Sequence, residues 1–278
     1  MEQTSYEQRG YLREDFRLFH LRGPIEERME WHYHTFHKLI VFLSGASSYG
    51  IEGKSYPLEP GDVVLVGQGC IHRPEAEPGE AHERIIVYIS PDFLRRCSRP
   101  DCQLEEIFEQ AKQDFRFVVR LARGSRELTR LLTELERAQT EDGYGQAILT
   151  ETLLLQVLIG LRRQMQQTDL RYAEAAVRDE KIAAILQYLS QNLESDISID
   201  DLAAHFYISK YHMMRRFRAE TGYTIHAYLV GKRLILAREL IAGGMPVLEA
   251  CYACGFRDYS AFSRAYRRQY GQTPSTAR

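Results

Sequence analysis

A ten-residue stretch near the C-terminus recurs about 49 positions later, and this repeat constrains the fold more than any other feature of the chain. Ser209-Lys210-Tyr211-His212-Met213-Met214-Arg215-Arg216-Phe217-Arg218 returns as Asp258-Tyr259-Ser260-Ala261-Phe262-Ser263-Arg264-Ala265-Tyr266-Arg267. Each copy opens on an N-cap residue, Ser209 or Asp258, and sets apolar residues at i and i+4 (Met213/Phe217, Phe262/Tyr266). Each keeps an arginine inside the helix (Arg215, Arg264) and leaves it through a Gly-x-Thr exit. A capped, amphipathic, arginine-bearing helix used twice fits the recognition helix of a duplicated helix-turn-helix.

The surrounding pattern completes two units at 199–218 and 247–267. Ser198-Ile199-Asp200-Asp201 is a capping-box-like start, and residues 181–189 form a preceding helix. Residues 225–242 form a longer helix between the units, stopped by Gly243-Gly244. Such a spacer is roughly 27 Å long, comparable to the roughly 34 Å between successive major-groove segments on one face of B-DNA. Cys251 and Cys254 invite a metal or redox reading, but one turn apart on a helix whose buried face needs small residues they read as packing.

Charge agrees with a nucleic-acid-binding end. Residues 177–278 carry 14 Lys+Arg against 10 Asp+Glu, whereas the rest holds 22 against 28. The excess is modest, so affinity must come from a few placed cations and helix N-termini. With 278 residues, 44% of them hydrophobic, the chain can bury about two domain cores. It contains no run of about 18 apolar residues and no signal-like N-terminus, so a cytoplasmic protein without a membrane partner is expected. Five scattered cysteines (Cys70, Cys97, Cys102, Cys251, Cys254) do not form a disulfide framework.

The C-terminal pattern resembles the DNA-binding domain of the AraC/XylS family of bacterial transcription regulators. The residues that carry it are Asp201-Leu202-Ala203, Ser209, Tyr211, Arg215, Phe217 and Gly222, then Ala250, Gly255-Phe256, Asp258, Ser260, Phe262-Ser263-Arg264, Tyr266-Arg267 and Gly271-Gln272-Thr273-Pro274. The resemblance implies a transcription regulator, often an activator, that contacts double-stranded promoter DNA and sometimes RNA polymerase; a homodimer is expected separately, from the apolar helices between the two domains. Helical phase turns Met213, Phe217, Phe262 and Tyr266 inward and leaves Lys210, Tyr211, Met214, Arg215, Tyr259, Ser260, Ala261 and Arg264 outward. By resemblance, Tyr211, Met214, Arg215, Ser260, Ala261 and Arg264 read base edges, as an arginine fork can on guanine. Arg216, Arg218, Arg267 and Arg268 are expected on phosphates. Tyr207 stands where the second unit has Gly255; positive φ is unfavourable for tyrosine, so a differently shaped first turn is expected.

Short runs rich in Val, Ile, Phe and Tyr at 16–21, 38–43, 47–51, 62–66 and 84–90, separated by Gly-containing turns, predict a small β-sandwich or barrel. Within it His32-Tyr33-His34, Pro60-Gly61-Asp62 and Gly69-Cys70-Ile71-His72 resemble the cupin barrel, the sensor domain common in this family. In metal-binding cupins three histidines and a glutamate hold the ion. Here His32, His34 and His72 fit the imidazole places and Lys38 stands in the carboxylate place, while strand alternation leaves the direction of His37 open. Trp31, His32, His34, His37 and His72 are therefore candidate effector-binding residues, with His32, His34 and His72 the candidates for a divalent metal and no cofactor certain. Beyond the barrel, Leu128, Leu131, Leu132 and Leu135 make one helical stripe and Leu149, Leu153, Val157 and Leu161 a second, widened by Leu154 and Leu158. These helices either dimerise or close the barrel.

The reading is a multidomain α+β protein: a cupin-like sensor barrel over 1–125, a helical dimerisation segment over 126–168, a linker over 169–177 and an all-α DNA-binding domain with two helix-turn-helix units over 178–278. The expected function is a regulator, not an enzyme, controlled by a small polar, carbohydrate-related ligand. The alternatives are a metal-dependent cupin enzyme carrying a DNA-binding tail, and a constitutive DNA binder whose barrel only dimerises.

Overall fold

A computed structural model describes residues 12–24, 29–75, 81–121, 125–166 and 171–276. Among the described residues, the N-terminal domain is built on ten short antiparallel strands in two sheets. These are β1 Phe16–Gly23, β2 His37–Ser44, β3 Ser48–Ile51, β4 Lys54–Pro57, β5 Asp62–Val66, β6 His72–Glu75, β7 His82–Ile89, β8 Val118–Arg120, β9 Arg171–Tyr172 and β10 Ala176–Val177. One sheet runs β1-β7-β2-β5-β8-β9 and the other β10-β4-β3-β6. β2 and β5 lie inside the first sheet and are apolar on both faces, which is why their sequences read as continuous runs rather than alternations.

Four helices cover this domain: α1 Pro91–Cys97, α2 Glu106–Asp114, α3 Ser125–Thr140 and α4 Gln146–Met165. The leucine stripes of α3 and α4 are buried in the same core as the strands, so those stripes close the barrel. Leu149 departs from its expected place; with Ile148 it is a large apolar side chain left exposed at the start of α4. The expected linker over 169–177 is partly structured: β9 pairs with β8 and β10 with β4. The expected boundary at 168/169 lies outside the described residues.

The remainder is helical: α5 Glu180–Gln191, α6 Ile199–His205, α7 Lys210–Thr221, α8 Ile225–Ala242, α9 Val247–Ala253 and α10 Tyr259–Tyr270. Its apolar residues fall into two cores, one for each helix-turn-helix, and α8 belongs to both. Ile225, Tyr228 and Leu229 enter the first, while Leu234, Ala237 and Ile241 enter the second. The spacer is thus packed into each unit along its length rather than joining them through exposed turns. No helix among the described residues is long and apolar enough to cross a membrane.

Candidate nucleic-acid interface and histidine cluster

The two helix-turn-helix units share one turn chemistry. Tyr207 donates its N–H to Ala204 O and Ile208 to Ala203 O; Gly255 donates to Tyr252 O and Phe256 to Cys251 O. Tyr207 has φ 49° and Gly255 φ 89°. The first turn is therefore not shaped differently, as its tyrosine led the sequence reading to expect. The left-handed conformation costs a non-glycine residue about 1–2 kcal/mol, and the Tyr207 side chain is 90% exposed. Ser198 caps α6 by accepting from Asp201 N, and Asp258 caps α10 by accepting from Ala261 N. Ser209 occupies the cap position of α7 with no side-chain cap bond.

Met213, Phe217, Phe262 and Tyr266 are fully buried. On the opposite faces Tyr211, Met214, Arg215, Arg218, Ser260, Ala261, Arg264, Arg267 and Arg268 are exposed, with Lys210 and Tyr259 half-buried at the helix starts. Lys210 pairs with Asp200 at 2.9 Å. Arg216 departs from its expected phosphate role: its guanidinium lies 2.5 Å from the buried Asp179, the residue that caps α5. Arg216 ties α7 to α5 instead. Cys251 and Cys254 are buried among the apolar side chains of the second unit, and burial pushes the Cys254 thiol up to about 12. That makes them packing residues with unreactive thiols.

In the barrel, the imidazoles of His32, His34 and His72 converge. Ring centroids of His72 lie 4.4 Å from both others, and the three candidate ligand nitrogens lie within 4.8 Å of one another. None is more than 3% exposed. Each ring turns Nδ1 to a main-chain carbonyl: His32 to Glu30 at 2.9 Å, His34 to Phe36 at 3.3 Å and His72 to Cys70 at 2.9 Å. A carbonyl only accepts, so Nδ1 carries the proton in each case and Nε2 keeps its lone pair. Nε2 of His34 and of His72 is buried without a hydrogen-bond partner among the described residues. Burial, then the nearby Lys38 and histidine partners, hold both rings well below the usual imidazole range, so they stay neutral.

This donor set fits a divalent transition metal: three imidazoles fixed by main-chain acceptors, those of His34 and His72 neutral, with candidate ligand nitrogens within 4.8 Å of one another. Lys38 Nζ donates to Tyr49 Oη at 3.0 Å, and Tyr49 stacks on His72. The carboxylate place is filled by a buried amine, brought down to about 7 by burial and by Arg84. His37, next along the strand, points the other way. Its Nε2 meets Glu105 at 2.8 Å, its Nδ1 accepts from Gln68 N and its ring stacks on Phe108, so it does not join the cluster. Trp31 also lies outside the cluster. Its ring is packed in the core of the first helix-turn-helix with Arg73 4.4 Å from the centroid, which removes it from the effector-binding candidates.

The sequence reading missed the surface joining barrel and helices. Glu52, at the β3–β4 turn with φ 48°, is 2% exposed. It accepts from Lys232 Nζ at 2.5 Å, Tyr228 Oη at 2.8 Å and Ile71 N at 2.9 Å. Tyr223 Oη donates to Trp31 O at 2.9 Å, and Gln68 Nε2 to Glu239 at 2.6 Å. Two clefts flank the latter bond. One of about 390 Å³ is lined by Phe36, Arg95, Arg238 and Gln272, the other of about 270 Å³ by Lys112, Lys232 and Ile235.

Tandem helix-turn-helix units with open outer faces, docked on a sheet domain that buries a histidine cluster, define a DNA-binding transcription regulator. Residues 17–158 match the AraC-like ligand binding domain and residues 202–278 a helix-turn-helix domain, and the chain belongs to the AraC family of regulators. It is 27% identical over 252 residues to the probable transcriptional regulator LumQ of Photobacterium leiognathi, covering 90% of this chain and 92% of that protein. It is 24% identical over 249 residues to the HTH-type transcriptional activator RhaS of Escherichia coli strain K12, covering 89% and 86%. A solved probable AraC family transcriptional regulator from Rhodopseudomonas palustris CGA009 is 28% identical, covers 36% of this chain and 94% of its own, and superposes with a TM-score of 0.34.

Proposed function

We propose that this protein controls transcription by docking α7 and α10 on promoter DNA, with a ligand in its barrel setting how the two helices are presented. The observation that carries the reading is the division of each helix: a fully buried apolar stripe, and an opposite face with Tyr211, Met214 and Arg215 or Ser260, Ala261 and Arg264 open. Arg215 and Arg264 read base edges, while Arg218, Arg267 and Arg268 hold phosphates. On the operator, Arg264→Ala costs about 1–3 kcal/mol and relaxes preference at one base pair. Arg268→Ala weakens all duplexes alike and lowers the salt slope by about one. Equal losses on every sequence from both changes refute the assignment.

Two protomers act together, meeting through the outer face of α4, where Ile148 and Leu149 are exposed and Leu155 and Ile159 half-buried. Sedimentation equilibrium of the full chain tests this, and a monomer at high micromolar concentration rejects it. Activation through RNA polymerase is carried over from the family.

The ligand-holding atoms of the barrel favour a metal ion over the small polar, carbohydrate-related molecule suggested by sequence, because the histidine cluster is closed and its nitrogens converge. His32, His34 and His72 would hold the ion, and a bound divalent cation would give the buried Nε2 atoms of His34 and His72 a partner. The role is sensing, not turnover. The purified chain loaded with zinc retains about one ion per chain after gel filtration, and His34→Ala releases it. Metal-free wild-type protein after loading rejects the reading.

A further inference from the structure

The two backbone segments that present His32 and His72 also reach into the DNA-binding domain. His32 and His72 face each other across a two-hydrogen-bond bridge, His32 N to His72 O at 3.1 Å and His72 N to His32 O at 2.9 Å. One residue before each of them, Trp31 and Ile71 leave the barrel and enter the core of the first helix-turn-helix, among Ile182, Ile185, Leu186, Phe217 and Tyr228. Both are then fastened by hydrogen bonds. Trp31 O takes the Tyr223 hydroxyl, and Ile71 shares two bonds with Glu52, its N–H on the carboxylate and its carbonyl on the Glu52 N–H at 2.9 Å. Glu52 in turn holds Tyr228 and Lys232 of α8, the helix packed into both units.

We propose that this arrangement is a latch by which cation capture at the histidine cluster stiffens α8 and so fixes the relative setting of the two recognition helices. The proposal rests on the metal reading above. An ion drawing His32 and His72 onto shared coordination holds the bridge between their backbones. The bridge then holds Trp31 and Ile71 in the helical core, and Glu52 passes that restraint to Lys232 and Tyr228. The latch leaves both DNA-facing surfaces open, so its effect is to preorganise: binding to a duplex loses less conformational freedom when the spacer is already held. By reciprocity, DNA raises zinc affinity by the factor that zinc raises DNA affinity.

The test uses the full chain, zinc, and a duplex selected from a random library by the protein itself. Hydrogen exchange over residues 223–235 is followed with and without zinc, and duplex affinity is measured in parallel. In the wild type, zinc slows exchange in that segment and tightens the duplex, each by about tenfold or more. Tyr223→Phe removes one hydroxyl, and Lys232→Met one ammonium; neither touches the histidines. Each still takes up one zinc, but with a response at least threefold smaller on both readouts. Wild-type protein that binds zinc with no slowing at 223–235, or variants with the full wild-type response, overturns the latch while the metal site stands. Failure of the wild type to hold zinc removes both.

Discussion

Replacing Lys232 by methionine tests whether barrel and helices are joined through a buried ion pair. Lys232 and Glu52 side chains are 8% and 2% exposed and 2.5 Å apart. Removing one partner of a buried pair costs about 3–5 kcal/mol, because the other charge is left without compensation. Here the loss falls near the lower limit, since Glu52 keeps its bonds from Ile71 N and Tyr228 Oη. Methionine also replaces most of the lysine stem, so little packing is lost. Glu52→Gln strands the ammonium instead, but leaves it 5.2 Å from the Tyr228 ring centroid and beside an amide oxygen, so a cost of about 2 kcal/mol is expected. The double substitution removes both charges and should cost less than the sum, with a coupling of about 2 kcal/mol or more. Urea denaturation of the four proteins at neutral pH measures the cycle. A loss below about 1 kcal/mol for Lys232→Met, or strict additivity, places the pair in water and refutes the docking of Glu52 against α8.

Glu239 gives the same surface a pH dependence. Burial, opposed by Lys112 and reinforced by Glu109 and Glu105, raises its carboxyl from 4.5 to about 7. The folded protein therefore keeps a proton there that the unfolded chain gives up, and this stabilisation is full below pH 4.5 and lost as pH rises through 7. Glu239→Gln should stabilise the protein at pH 8 by up to about 3 kcal/mol and have little effect at pH 4; urea midpoints across that range check it, and a uniform shift contradicts it. Gly255→Ala should lower stability by more than the 1–2 kcal/mol of a left-handed residue, because an added Cβ would stand 2.3 Å from Leu193 O. Tyr207→Gly, at the matching turn, should be neutral or mildly stabilising; equal thermal shifts for the two would show that the turns are not equivalent.

How far the sequence spoke depended on how near the determining partner lay along the chain. The helices of the DNA-binding half, their caps and their buried stripes follow from residues within four positions of each other, and Met213, Phe217, Phe262 and Tyr266 are buried as their spacing requires. The longer strands β1, β2, β5 and β7 were legible for the same reason, whereas β4, β6 and β8 to β10 are too short to show a period; His32, His34 and His72 were picked out by resemblance rather than by periodicity. The phase of His37 and Lys38 was not legible. It is set at the start of α2, where Glu105, the N-cap residue, and Phe108 lie about 70 residues further on and take His37, leaving Lys38 on the cluster side. Glu52 is the extreme case. In sequence it marks only a turn, because the two side chains that hold its carboxylate are 176 and 180 residues away. The one trace was Lys232 itself, a cation on the buried side of a largely apolar helix. Such a lysine needs a partner when it is buried, so its presence implied a carboxylate from elsewhere in the fold without indicating which. The left-handed Glu52 fits the same account: it is a residue held in an uncommon conformation at the point where two domains meet, where the surrounding bonds fix its backbone.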